Sequence, residues 1–268
     1  MTHFRMIATG FVLLFFVLSG TAFAADYVLA DTFPQAASAM FGGLQIRALP
    51  AGHLLIWDGE SIYMQTMVGG DKFRELATGY TGDPGFMAIA PDGHTVVLGA
   101  GLSGKLYRFN VRAPRDYDSG ADIATISHYA GAFIAQDLLL IDRLKDDYST
   151  DELAVVDISV PNPVAVGVID KPSASDIDGL SGEFAVSTSV AVDNARGLVY
   201  TSGVVYDAGF MPIINDLKSI SVSAIINAYQ AKARLDWNTD ATLIGAPGAF
   251  YTGGPTAVTS AGHLLLGG

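Results

Sequence analysis

From about residue 45 to the end, the apolar residues of this chain come in short runs, broken by glycine, aspartate and asparagine. Some runs alternate. In "LYRFNV", Tyr107, Phe109 and Val111 fall on one side of an extended chain and Arg108 and Asn110 on the other, the pattern of a strand with one wet face. Others, such as "VVL" and "LLLI", are apolar at every position, as expected of strands covered on both faces. Four segments share one plan: "LPAGHLLIWDG" from Leu49, "APDGHTVVLGAG" from Ala90, "VDNARGLVYTSG" from Val192 and "TSAGHLLLGG" from Thr259. An apolar strand such as "FMAIA", "SVAVD" or "TAVTS" leads into a tight turn, Asp92-Gly93, Ala51-Gly52 or Ala261-Gly262, and a second strand follows. Glycine accepts the positive φ that such hairpin turns require.

Third strands ("SIYMQT", "KLYRFNV", "ELAVVDIS", "KSISVS") and fourth strands ("KFRELA", "DIATIS", "VAVGVI", "ATLIG") complete each unit. A middle unit uses "GAFIAQDLLLID" (Gly131–Asp142), turning at Gln136-Asp137. Equivalent turn positions, His53, His94 and Asp137, lie 41 and 43 residues apart. Four strands at that period are the mark of propeller blades. "LAVVDISVPNPVAVGVID" (Leu153–Asp170) resembles the LVIVD-type repeat of secreted bacterial β-propellers, and "MAIAPDGHTVVLGAG" is similar to YVTN and NHL hairpins. The resemblance implies an all-β propeller of four-stranded antiparallel blades and leaves activity open. A β-sandwich is the competing fold.

Four blades and the start of a fifth can be read. Since an uncovered apolar edge is avoided, the expectation is the N-terminal part of a ring of about 6–8 blades. A closed five-bladed ring, with "DYVLAD" (Asp26–Asp31) completing its last blade, is the alternative. One stretch breaks the β pattern: "SVSAIINAYQAKARLDW" predicts a helix from Ala224 to Leu235, capped by Ser223, with Ile225, Ile226, Tyr229 and Ala233 near one face, packed outside blade four. Residues 1–24, "MTHFRMIATGFVLLFFVLSGTAFA", have a short basic start at Arg5, an apolar run and Ala22 and Ala24 in the small-x-small arrangement. They read as a signal peptide, leaving residues 25–268 as the propeller domain in the periplasm or outside the cell. No later segment is apolar enough to span a membrane.

Cysteine is absent, so packing rather than disulfides must hold the exported domain. Without the leader, 27 acidic side chains face 14 basic ones, a net charge of −13. That sign excludes nucleic acid and anionic membrane surfaces as natural partners. Three lengthened connectors, Asp142–Glu152, Asp170–Thr188 and Gly203–Leu217, carry −8 of this charge. In a propeller all three reach the mouth of the central channel, where a loop-rich acidic rim suits a protein, a surface polymer or a cation.

Candidate ligand-binding residues follow from that placement: Asp83 and His128, just before inner strands, and Asp147 and Asp151 in "DDYSTDE". The segment "DIDGLSGE" offers Asp176, Asp178, Ser181 and Glu183 as oxygen ligands, with Gly179 for a sharp turn. Calcium is therefore the candidate cofactor, although an Asx-turn loop explains the same residues and the spacing is not that of an EF-hand. His53, His94 and His263 recur because the repeat recurs, too far apart to share a metal. "GAGLSGK" lacks the Lys-Ser/Thr ending of a phosphate loop, since Leu106 follows Lys105. The leading expectation is a non-enzymatic binding or scaffold module. A metal-dependent hydrolase of the lactonase type is the alternative, needing carboxylates to converge on a channel metal. A quinone-dependent redox propeller is disfavoured, because two tryptophans give little to stack a cofactor on.

Overall fold

The computed structural model describes residues 45–266, apart from 83, 147–150, 173–183, 186–189, 208–211, 245–255 and 260–261. The leader and "DYVLAD" therefore lie outside the described residues. Blade one is β1 (Gln45–Ala48), β2 (Leu54–Trp57), β3 (Ser61–Gln65) and β4 (Phe73–Thr78), antiparallel and in chain order. Blade two has β5 (Phe86–Ile89), β6 (Thr95–Ala100) and β7 (Lys105–Ala113). Its outer position is shared by β8 (Asp116–Tyr117) and β9 (Ala121–Thr125), each on part of the β7 edge. Blade three is β10 (Ala130–Phe133), β11 (Leu138–Leu144), β12 (Asp151–Asp157) and β13 (Ala165–Asp170). In blade four, β14 (Phe184–Ala185) and β15 (Val190–Asp193) share the inner edge of β16 (Leu198–Tyr206), followed by β17 (Pro212–Ser221) and β18 (Thr242–Leu243). A fifth sheet begins with β19 (Thr256–Val258) and β20 (Leu264–Leu266).

The first strands β1, β5, β10, β15 and β19 touch one another in that order. The sheets are thus wedged radially rather than stacked in two layers, which excludes the sandwich. Alternation then explains the doubly apolar strands. In β12, Leu153 and Val155 belong to the core between blades three and four, while Ala154 and Val156 belong to the core between two and three. In β6, Val96, Leu98 and Ala100 face blade one's Trp57, Ile62 and Met64, and Val97 faces the other way. Every second side chain of a blade serves a different neighbour, so both faces must be oily. Trp57 is fully buried and its indole N–H donates to the Tyr80 carbonyl at 3.1 Å, as a buried Trp requires.

Close approach between inner strands depends on two glycines. The Phe86 ring lies over Gly131 of the next blade, where a Cβ would stand 2.6 Å from Cζ, and a Cβ on Gly99 would meet the same ring and His128.

The hairpin turns are as the sequence indicates, with a detail of geometry added. Gly52, Gly93 and Gly262 each have φ between +76 and +88 and donate back to Leu49, Ala90 and Thr259. The turns at Gly52 and Gly93 are β-turns ending in a left-handed glycine rather than bare two-residue loops. Turns of neighbouring blades also hold one another. The Asp92 amide donates to Gln136 Oε1 at 2.9 Å, and Gln136 Nε2 donates back to Asp92 Oδ2 at 2.6 Å. Arg196 Nη1 donates to the Gly262 carbonyl at 2.6 Å between blades four and five.

Partial burial works against ionisation of Asp92, but hydrogen bonds from the Thr95 hydroxyl and amide, the His94 amide and Gln136 outweigh it, holding the carboxyl well below the usual range. A depressed native pKa stabilises the fold fully above the unfolded value of about 4 and is lost as pH falls through the native value. The stability difference between wild type and Asp92→Ala is therefore expected to stay level from neutral pH to about pH 4 and to shrink below it. Urea midpoints measured from pH 7 to pH 2 would check this. A difference that widens in acid would contradict the assignment.

The helix is shifted from its expected position. α1 runs Val222–Ala231, capped by Ser221, whose hydroxyl accepts from the Ala224 amide, and it ends where Lys232 turns left-handed at φ +52. Ile225 and Ala228 are buried, with Ile226 and Tyr229 half-covered. Nor does it sit outside blade four alone. It packs on β13 as well as β17, and the Leu235 amide donates to the Val168 carbonyl, pairing the following segment with the exposed edge of blade three. Closing that edge blunts a site for strand-to-strand aggregation.

Candidate functional site

Antiparallel topology sends the connectors β11–β12 (145–150), β13–β15 (171–189) and β16–β17 (207–211) to one end of the sheets, the mouth face. Two of them are shorter than their sequence implies. β11 continues to Leu144 and β12 begins at Asp151, while β16 and β17 form a hairpin with strands of nine and ten residues. Charged residues assigned to loops are thus in the ladders, facing adjacent blades.

Between blades three and four, Asp142 and Lys171 form an ion pair with both side chains fully buried. Asp151 is also buried, on the same face and diagonal to Asp142 in the β11–β12 register. Its carbonyl accepts from the Lys171 amide at 3.0 Å. Tyr129 donates its amide to the Asp142 carbonyl, and burial together with the charges of Asp151 and Asp142 pushes its phenol up to about 12. From blade four, Thr201 and Lys218 sit cross-strand from each other; Lys218 donates to the Trp237 carbonyl at 2.9 Å with its ammonium 4.9 Å from the indole centroid. Burial lowers the Lys218 pKa, opposed by Asp216 and Asp236.

On the other face of blade three, Glu152 forms an ion pair with Arg143, whose Nε lies 3.2 Å away, and accepts a hydrogen bond from Arg234 Nη2 at 2.9 Å. Gly167 leaves room for that junction, since a Cβ there would meet both Glu152 and Arg234. Arg234 and Lys145 also pair with Asp170, and Arg143 with Asp146. Asp142, Asp146, Glu152 and Asp170 are therefore paired, by Arg143, Lys145 and Lys171 of the connectors themselves and by Arg234 from outside them.

The sequence-derived site residues separate accordingly. His128 is buried edge-on to Phe86, its ring centroid 5.1 Å away, with Nδ1 donating to the Ile126 carbonyl at 2.6 Å; burial keeps it below the usual histidine pKa and hence neutral at pH 7. Asp151 lies in the interblade cluster just described. Asp83, Asp147, Asp176, Asp178, Ser181 and Glu183 lie outside the described residues. Among the described residues, no three His, Asp or Glu side chains come together as a metal-holding group. Sequence reasoning missed the buried Asp142–Lys171 pair and the buried Lys218. The available signal was a charge inside a doubly apolar strand, as in "LLLID".

Radial antiparallel blades with consecutive inner strands define the class: this is a β-propeller, with four blades, the start of a fifth and a helical insertion. It is similar in fold to hydrazine synthase from Kuenenia stuttgartiensis (TM-score 0.49, 11% identity, 84% of this chain and 53% of that one) and to TolB from Acinetobacter baumannii (0.43, 15%, 69% and 41%). The Swd1 β-propeller domain from Myceliophteria thermophila is a third (0.43, 11%, 67% and 62%). This chain spans less than two thirds of each of these proteins, and at such identity the likeness extends to fold alone. No protein-family model matches the sequence, and no curated protein is similar enough in sequence to match. No described helix is long and apolar enough to cross a membrane.

Proposed function

We propose that this chain is an exported binding module that holds a cationic partner, a protein or surface polymer, on its mouth face. The observation that carries the reading is the anchoring of the mouth connectors. Asp142, Asp151 and Lys171 tie the roots of two of them into one buried cluster. Loops rooted in rigid strands lose less freedom on binding than free ones, which favours recognition. Asp147, Asp176, Asp178 and Glu183 belong to these connectors and would supply the acidic contacts to a basic partner; with calcium as the cation held instead, Asp176, Asp178, Ser181 and Glu183 would be its ligands.

The test uses immobilised protein and a lysine-rich peptide as probe. Replacing Asp147, Asp176, Asp178 and Glu183 together by Asn or Gln is expected to weaken binding about tenfold at low salt. Neutralising Asp71, Glu75, Asp116 and Asp240, away from the mouth connectors, should change it less than about twofold. Equal losses from both sets would mean that only net charge matters and would overturn the reading. Millimolar calcium should raise the melting temperature of wild type but not of Asp178→Asn. Expressed with its leader in a bacterial host, the mature chain should begin at Ala25.

A further inference from the structure

On the face opposite the mouth, a groove of about 380 Å³ lies between the hairpins of blades two and three, lined largely by Asp92, Arg108, Asn110, Arg112, Tyr117 and Asp118. Two of its three carboxylates, Asp92 and Asp118, are engaged in hairpin contacts, while Asp116 stands exposed at its edge. Asp92 accepts from the His94 and Thr95 amides, the Thr95 hydroxyl and Gln136. Asp118 accepts from the Asn110 amide and side chain and from the Gly120 amide. The two guanidinium groups are in the opposite condition. Arg108 donates Nη1 to the Ile158 carbonyl at 3.2 Å, and Arg112 donates Nη2 to His94 Nε2 at 3.2 Å, while neither pairs with a carboxylate among the described residues. Arg108 thus ties blade two to blade three through a carbonyl, and each of the two guanidinium groups beside the groove keeps most of its N–H donors for a further acceptor.

Arg108, Asn110 and Arg112 share one face of β7, so the arginine Cα atoms stand about 13 Å apart. Side chains of that length can close on one small molecule from its two ends. Five fork-arranged donors per guanidinium favour a planar or tetrahedral oxyanion. Between them, the Asn110 and Gln136 side chains each give one amide N–H to Asp118 or Asp92 and keep a second for hydroxyl groups, and Tyr117 offers an aromatic surface to C–H groups. Volume, two guanidinium groups with unfilled forks and mixed hydrogen-bonding character together describe a hydroxylated ligand with an anionic substituent.

We propose that this groove binds an anionic carbohydrate, a sugar carrying a carboxylate or a phosphate. The site is independent of the mouth-face reading and lies on the other side of the ring. Titration calorimetry of the full chain with glucuronate, glucose 6-phosphate and glucose tests it and separates the two sources of charge. At least one anionic sugar is expected to bind at least about tenfold more tightly than glucose, the scale of one charge-assisted bidentate contact. Arg108→Gln with Arg112→Gln should abolish that difference. Arg112→Gln alone, at an exposed position where the fold is not at stake, should reduce it about fivefold or more. Binding of neither anionic sugar, equal binding of glucose, or unaltered affinity in Arg112→Gln would overturn the proposal.

Discussion

Replacing Lys171 by methionine is expected to destabilise the protein by about 3–5 kcal/mol, among the largest losses available to a single substitution in this fold. The ammonium and the Asp142 carboxylate are both fully buried between blades three and four. Removing the Lys171 charge leaves the Asp142 carboxylate in a low-dielectric site without that ammonium, on the same face as the buried carboxylate of Asp151. The double variant Asp142→Leu, Lys171→Met should regain most of the loss, because replacing both members removes the desolvation cost along with the attraction. Urea midpoints of the two single variants and the double would measure the coupling. Additive losses would show that the two side chains act independently.

Gly131→Val is the second large expected effect, about 1–3 kcal/mol, or a fall of about 2–4 °C in melting temperature per kcal/mol. The mechanism is overpacking. A Cβ at this position stands 2.6–2.9 Å from three atoms of the Phe86 ring, and the ring is itself fixed against His128. In the Gly131→Val background, Phe86→Ala should cost less than the about 3–5 kcal/mol expected for truncating a buried Phe in the wild type. Equal costs in both backgrounds would place the strain elsewhere.

The strand plan, the glycine turns and the four blades with the start of a fifth were legible because hydrophobic periodicity and turn chemistry are local properties. Tyr107, Phe109 and Val111 are buried together as their alternation implies, and Gln136-Asp137 turns where it was read to turn, between Ala135 and Leu138. The helix was legible as a break in pattern, but its cap was displaced by two residues. Both Ser221 and Ser223 suit the role by type, and the end of β17 decides which one stands at the boundary. The mouth face was legible as an end of the blades. The state of its charges was not, since Asp142, Asp151 and Glu152 look the same in sequence whether solvated or buried.

Sequence alone determined that this chain makes short antiparallel sheets in four-strand units, because strand periodicity and turn chemistry, glycine at most hairpins and Gln136-Asp137 at one, are local. Only the tertiary structure decided which charges remain available. A carboxylate's surroundings are set by residues far along the chain, as when Arg234 reaches Glu152 across 82 positions and Lys171 meets Asp142 across 29. Pairing, burial and the arginines left over in the blade two–three groove are properties of that meeting, and no local pattern encodes them.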